Sequence, residues 1–249
     1  KETILSVGID IGTSTTQLIF SKLTIENEAS SYVVPRINIV DKEVTYRSKI
    51  YFTPLLSQTE IDAEKVKKII EAEYKAAGMK PEDLQTGAVI ITGETARKHN
   101  ANTVLASLSS MAGDFVVATA GPDLESVLSA KGAGADAFSE EHRQAVANID
   151  IGGGTSNIAL FQKGNLKGTS CLDIGGRLIK IENGRISYIF PKIQKLAEAH
   201  GIHIAVGDRA EETVLYKICE YMADQLAMAI HAREADSLHA GLYTNDGKP

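Results

Sequence analysis

The chain has 249 residues, 43% hydrophobic and 23% charged, close to an average soluble globular protein, so it can bury a sizeable core over one or two domains. Its 26 basic and 32 acidic residues leave a net charge of −6, which argues against a nucleic-acid-binding surface. No apolar run approaches the roughly 18–20 residues that span a bilayer, and Lys1-Glu2-Thr3-Ile4 opens no secretory hydrophobic region, so no membrane partner and a cytoplasmic location are expected.

In chain order, Ile4 to Ile9 forms a β-rich run that enters Asp10-Ile11-Gly12, a turn of small polar residues, and a second run at Leu18-Ile19-Phe20. Strand, Gly-rich turn and strand together read as a hairpin. Residues 32–52 alternate as a β region interrupted by Pro35, and are expected to be part of an inserted subdomain over about 32–80. Val66, Ile69, Ile70 and Tyr74 fall on one helical face, so a helix is expected over 62–77, capped by Asp62 and ended by Gly78. A buried strand (88–91), a helix (about 95–111), a short strand (115–117) and a helix (about 123–138) follow.

From Ala145 the pattern of the first hairpin returns. Residues 149–160, IDIGGGTSNIAL, align without a gap on residues 9–20, IDIGTSTTQLIF, at an offset of 140. Ile9, Asp10, Ile11, Gly12 and Thr15 match Ile149, Asp150, Ile151, Gly152 and Thr155. Such a spacing indicates a duplicated domain, because a solenoid would repeat every ~20–50 residues. Beyond it, Leu166 to Leu172 reads as a strand, Asp173-Ile174-Gly175-Gly176 as a further turn, and 208–232 as an amphipathic helix. The end from Gly241 is polar and turn-rich, expected as a loop or truncation rather than a packed terminus. Cys171 and Cys219 have no CxxC spacing and are expected as buried thiols. His200, His203, His231 and His239 lack the partners of a metal site.

The two turns carry the chemistry. Glycines let a backbone approach a phosphate and turn its N–H groups inward, and Ser and Thr add hydroxyl donors. An Asp at the strand end can hold Mg²⁺, usually through water. Two such turns facing each other would clamp a polyphosphate, and phosphoryl transfer needs positioning and charge neutralisation more than covalent chemistry. A Rossmann reading fails because Asn157 stands at the third glycine position and a strand follows. A P-loop reading fails because Gly-Lys-Ser/Thr is absent.

The paired motifs resemble phosphate-1 and phosphate-2 of the actin, sugar-kinase and chaperone-ATPase superfamily. That resemblance implies an α/β, actin-like ATPase fold: ribonuclease H-like mixed sheets with flanking helices in duplicated lobes. The first lobe would cover 1–144, with a hinge helix at about 123–138 containing Ala130-Lys131-Gly132-Ala133-Gly134-Ala135. A partial second lobe would cover 145–249, helical over about 191–232 and lacking the adenosine motif. Three further segments, Ile91-Thr92-Gly93-Glu94-Thr95-Ala96-Arg97-Lys98, Ala118-Thr119-Ala120-Gly121-Pro122-Asp123-Leu124-Glu125 and Lys131-Gly132-Ala133-Gly134-Ala135-Asp136, are similar to the ethanolamine ammonia-lyase reactivating factors (ethanolamine-utilization protein A), and Asp173 to Arg177 also fits.

The narrower resemblance implies an ATP-dependent chaperone that releases damaged cobalamin from ethanolamine ammonia-lyase, so that intact adenosylcobalamin binds. It implies ATP and Mg²⁺ as cofactors, the lyase as partner, and a cytoplasmic setting with a bacterial microcompartment. Asp10 and Asp150 would order Mg²⁺. Gly12, Thr13, Ser14 and Thr15 would hold one side of the phosphates, and Gly152, Gly153, Gly154, Thr155 and Ser156 the other. Asp150 and Glu94 would be the catalytic carboxylates, Asp150 orienting water and Glu94 reaching the γ-phosphate. A diol dehydratase-type reactivase, a small-molecule kinase and a filament-forming actin-like protein remain alternatives from the same superfamily.

Overall fold

A computed structural model describes residues 1–12, 14–27, 37–57, 60–92, 100–109, 111, 115–119 and 121–244. The chain divides into two compact units, Lys1–Ala120 and Gly121–Pro249.

The first unit is built on β1 (Glu2–Ile11) and β2 (Thr15–Asn27), the antiparallel arms of the first expected hairpin. β3 (Ile37–Arg47) pairs antiparallel with the other edge of β2, and β4 (Tyr51–Phe52) pairs with the start of β2. β7 (Thr86–Ile91) adds parallel to β1, and β8 (Phe115–Thr119) adds parallel to β7. The order β3-β2-β1-β7-β8 puts β1 in the middle of a mixed sheet. The stretch expected as part of an inserted subdomain therefore extends the main sheet, because β2 has 13 residues and offers a second edge along its length. Two short strands, β5 (Leu55–Ser57) and β6 (Glu60–Ile61), pair separately.

Alternation decides which face of β1 is covered. Val7, Ile9 and Ile11 are buried and the intervening Gly8 and Asp10 are exposed. The buried set joins Leu18, Phe20, Val89 and Ile91 beneath α1 (Ala63–Ala77) and α2 (Ala101–Ser109). Burial of each such aliphatic chain is worth roughly 1.5–3 kcal/mol. α1 begins and ends as its sequence dictates. Asp62 accepts the Lys65 N–H at 3.0 Å, and Gly78 closes the helix in the left-handed region at φ 67°.

One buried position of α1 is charged. Glu73 is 4% exposed and accepts the Tyr46 hydroxyl at 2.7 Å together with the Tyr51 hydroxyl. The hydrogen bond to Glu73, with burial second, pushes the Tyr51 hydroxyl up to about 12. This carboxylate ties β3 and β4 to the helix. Glu73→Ala removes the acceptor of two hydroxyls and is expected to destabilise the first unit by about 2–3 kcal/mol, read from urea denaturation followed by tyrosine fluorescence.

The second unit repeats the hairpin as β9 (Ala145–Ile151) and β10 (Ser156–Gln162), with β11 (Asn165–Leu172) beyond β10. The helix expected over 123–138 is two helices, α3 (Pro122–Gly132) and α4 (Ala135–Glu141), separated at Gly134, whose φ is 78°. Their small residues Ala130 and Ala135 lie against Ala159, Phe161 and Val146, so these helices cover one face of the second sheet. This packing places the division between units at residue 120, ahead of the helices, where the sequence reading put it at 144. A hairpin of β12 (Ile179–Glu182) and β13 (Arg185–Ile189) packs with α5 (Pro191–Ala199) and α6 (Glu212–Ala229) through Ile186, Ile189, Ile193, Leu196 and Ile218. Cys171 is buried as expected, whereas Cys219 is exposed on α6.

Part of the segment from Gly241 that was expected as an open loop is packed: Leu242 is buried and Tyr243 and Thr244 are half-buried. Leu242 is 4% exposed against Leu172, Ile174 and Leu226, and Thr244 N–H donates to the Cys171 carbonyl at 2.8 Å. His239, 5% exposed, locks this segment to α6. Gln225 donates its amide to Asp236 at 2.7 Å, which leaves its oxygen 2.9 Å from His239 Nδ1 as the acceptor. Nδ1 therefore carries the proton, and Nε2 accepts the Tyr243 hydroxyl at 2.9 Å. A second proton would sit on Nε2 facing that hydroxyl. Burial holds the His239 pKa below its ordinary value, against the opposing pull of Asp236 and with help from His231. A depressed histidine pKa stabilises the fold fully above the unfolded value, about 6.5, and that contribution is lost as pH falls below it. Amide protection factors of residues 238–244, taken after the intrinsic pH dependence of exchange is divided out, are expected to fall between pH 7 and 5, and that fall should vanish in His239→Gln.

Candidate phosphate-binding site

Both expected turns form, and they share one register. In the first, Asp10 pairs with Gln17 and Ile11 with Thr16. In the second, Asp150 pairs with Asn157 and Ile151 with Ser156, the same pairs displaced by 140. Gly12 N–H donates to Thr15 O at 2.9 Å, and Gly152 N–H donates to Thr155 O at 2.9 Å. A Cβ at Gly12 would lie 3.1 Å from Thr15 O, and one at Gly152 would lie 3.2 Å from Thr155 O. Glycine thus keeps each turn tight at its first position.

In the first turn, Gly12, Ser14 and Thr15 are half-buried and Asp10 is exposed at the strand end. Thr92, at the end of β7, donates to the Asp10 carboxylate at 3.2 Å and so orients it. Thr53 braces the turn from behind. Its N–H donates to Ser14 O at 3.0 Å and its hydroxyl to Gly12 O at 2.7 Å. Thr53 Oγ1 also lies 3.1 Å from the buried Thr16 Oγ1. Thr13 and Glu94 lie outside the described residues, as does the whole segment Gly93 to Lys98.

In the second turn, Asp150 and Gly152 are exposed, and Gly153, Gly154 and Thr155 are half-buried. Ser156 is fully buried, and its hydroxyl, expected at the phosphates, donates to Ile174 O at 2.7 Å. Asn157, opposite Asp150, is 2% exposed with no partner for Oδ1 among the described residues. Residues directly opposite in an antiparallel pair share a face, so this orphaned acceptor lies on the face that carries the Asp150 side chain. The turn after β11 also meets this one. Asp173 is buried in an ion pair with Lys192, and Gly176 and Arg177 donate their N–H groups to Gly152 O and Gly153 O at 2.9 and 2.8 Å.

The sequence reading missed Thr53, Thr92 and Asn157 as parts of these turns. Thr53 has no local signal, since it stands 41 residues from Gly12 in the chain. Asn157 was legible in principle, as the counterpart of Gln17 in the repeat. Among the described residues, no group of three or more His, Cys, Asp or Glu forms a direct metal-ligand cluster.

A family model described as ethanolamine utilisation protein EutA matches residues 2–248. The chain belongs to the EutA family. It is 50% identical over 186 residues to the ethanolamine ammonia-lyase reactivase EutA of Salmonella typhimurium, and 49% identical to that of Escherichia coli. The alignment takes in 74% of this chain but 40% of each relative's length. The PPX-GPPA enzyme of Aquifex aeolicus has a similar fold, with a TM-score of 0.51 at 14% identity over 94% of this chain and 66% of that one. The mixed sheets with flanking helices are thus those of an actin-like ATPase fold, as the paired phosphate motifs imply. Among the described residues, no helix is long and apolar enough to cross a membrane.

The Thr53 brace is directly testable. Thr53→Val keeps the shape of the side chain but leaves Gly12 O without its hydroxyl donor. A loss of about 1–2 kcal/mol, seen as a melting temperature lower by about 5 °C, is expected.

Proposed function

We propose that this chain provides the nucleotide phosphate-binding turns of an ATP-dependent reactivase of ethanolamine ammonia-lyase, the activity named in its relatives. The observation that carries the reading is the duplicated turn, with the same strand register and the same glycine-to-threonine hydrogen bond at both places. One such hairpin is an ordinary way to reverse a chain. Two with matching carboxylates, glycines and threonines constitute a repeated anion cradle.

The residues present fit ATP and Mg²⁺. Exposed Asp10 and Asp150 offer carboxylates to water held on a cation, the usual way Mg²⁺ is bound beside phosphates. The buried, unpartnered Asn157 Oδ1 adds an acceptor on the Asp150 side. When bound, the cation would neutralise phosphate charge. Phosphate would contact Gly12, Thr13, Ser14 and Thr15 at the first turn, and Gly153, Gly154 and Thr155 at the second. Asp150 would orient water and Glu94 would reach the γ-phosphate. The Ser156 hydroxyl supports the turn from within. A cytoplasmic setting beside a bacterial microcompartment follows from the same reading.

The test is reactivation itself. The protein is incubated with cyanocobalamin-inactivated ethanolamine ammonia-lyase, ATP, Mg²⁺ and adenosylcobalamin, and ammonia release is followed. Asp10→Ala and Asp150→Ala are each expected to lower recovery more than tenfold while melting as the parent does. Unchanged recovery in both variants would overturn the assignment.

A further inference from the structure

The turn Asp173 to Arg177 repeats the Asp-Ile-Gly start of the two phosphate turns but is no third cradle: its Asp173 is buried against Lys192. What the turn touches is the backbone of the second phosphate turn. A Cβ at Gly175 would lie 2.6 Å from Gly153 C and O and 2.7 Å from Gly154 C, closer than any real Cβ approaches such atoms. Neighbouring Gly176 has room, with Gly152 O 3.9 Å from its would-be Cβ. Neither residue is among the glycines with positive φ. Gly175 is therefore glycine because another backbone occupies its side-chain space, not because of its own conformation.

Three hydrogen bonds fasten the contact. Gly176 N–H and Arg177 N–H hold Gly152 O and Gly153 O, and the Ser156 hydroxyl holds Ile174 O at 2.7 Å. In a trans peptide the carbonyl and the following N–H point in opposite directions, and no cis peptide is present among the described residues. Fixing the carbonyls of Gly152 and Gly153 toward the 175–177 turn therefore aims the N–H groups of Gly153 and Gly154 away from it. Paired N–H groups held in this way form an anion-binding concavity.

We infer that Gly175 is a positioning residue: its missing side chain lets the Asp173–Arg177 turn seat against residues 152–154 and orient their N–H groups toward phosphate. This inference rests on the phosphate reading above, and it can fail separately. Gly175→Ala, Ser156→Ala and the control Gly168→Ala, whose new Cβ meets nothing within 4 Å, are compared with the parent chain. Three quantities are read for each: the amide resonances of Gly153 and Gly154, MgATP affinity and melting temperature. Gly175→Ala should move both resonances and weaken MgATP binding at least tenfold. Ser156→Ala should move the same resonances and weaken binding several-fold, with a melting temperature lower by about 5 °C, as for Thr53→Val. Gly168→Ala should change neither.

A folded Gly175→Ala with parental resonances and affinity overturns the inference. If Gly175→Ala does not fold, parental resonances in Ser156→Ala overturn it. Equal effects from Gly168→Ala also overturn it. Absence of MgATP binding by the parent chain would defeat the phosphate reading, while the resonances would still decide the brace.

Discussion

One backbone hydrogen bond, from a glycine N–H to the carbonyl of a threonine three residues later, shapes both of the duplicated turns. It closes each hairpin within four residues and so sets which residues pair across the strands behind it. That register places Asp10 opposite Gln17 and Asp150 opposite Asn157. The turns are useful only because the strands behind them are rigid. β1 is anchored by Val7, Ile9 and Ile11 in the first core, and β10 by Ile158, Ala159 and Phe161 on both faces of the second sheet. Polar loops on a close-packed platform are the usual way to hold small charged ligands.

The two copies solve the same mechanical problem differently. A tight glycine turn leaves carbonyls that need donors, and an unpaired buried carbonyl costs about 1–3 kcal/mol. At the first turn the donors are the hydroxyl and the main-chain N–H of one residue, Thr53, brought in by the strand region that follows β3. At the second the donors are main-chain N–H groups of the turn after β11. The surroundings differ as well. Ile11 is fully buried between neighbouring strands, whereas its counterpart Ile151 is 57% exposed on β9, which pairs only with β10 among the described residues. Duplication has preserved the turn and its register while the support beneath each copy diverged.

On the proposed reading, an acidic chain could still take a polyphosphate. The favourable field would come from oriented N–H dipoles close to the phosphates, not from an overall positive charge. The exposed carboxylates of Asp10 and Asp150 would then need a divalent cation to turn their repulsion of phosphate into attraction.

Much of this was written in local sequence. The repeat at offset 140, the hairpins, the cap residues Asp62 and Gly78 and the strand core 88–91 all rest on near-neighbour periodicity and turn chemistry, which a sequence displays directly. What needed tertiary structure was every contact whose partners are remote in the chain. Thr53 reaches Gly12, Thr92 reaches Asp10, His239 locks to Gln225, and Gly175 yields its side-chain space to Gly153. The allegiance of helices 122–141 to the second sheet was of the same kind, since small residues pack equally well against many surfaces. Periodicity and glycine placement determined the elements and their turns, because those depend on bonds spanning a few residues. Which backbone lies against which was decided only by folding, because that depends on volume and hydrogen-bond satisfaction across the whole unit.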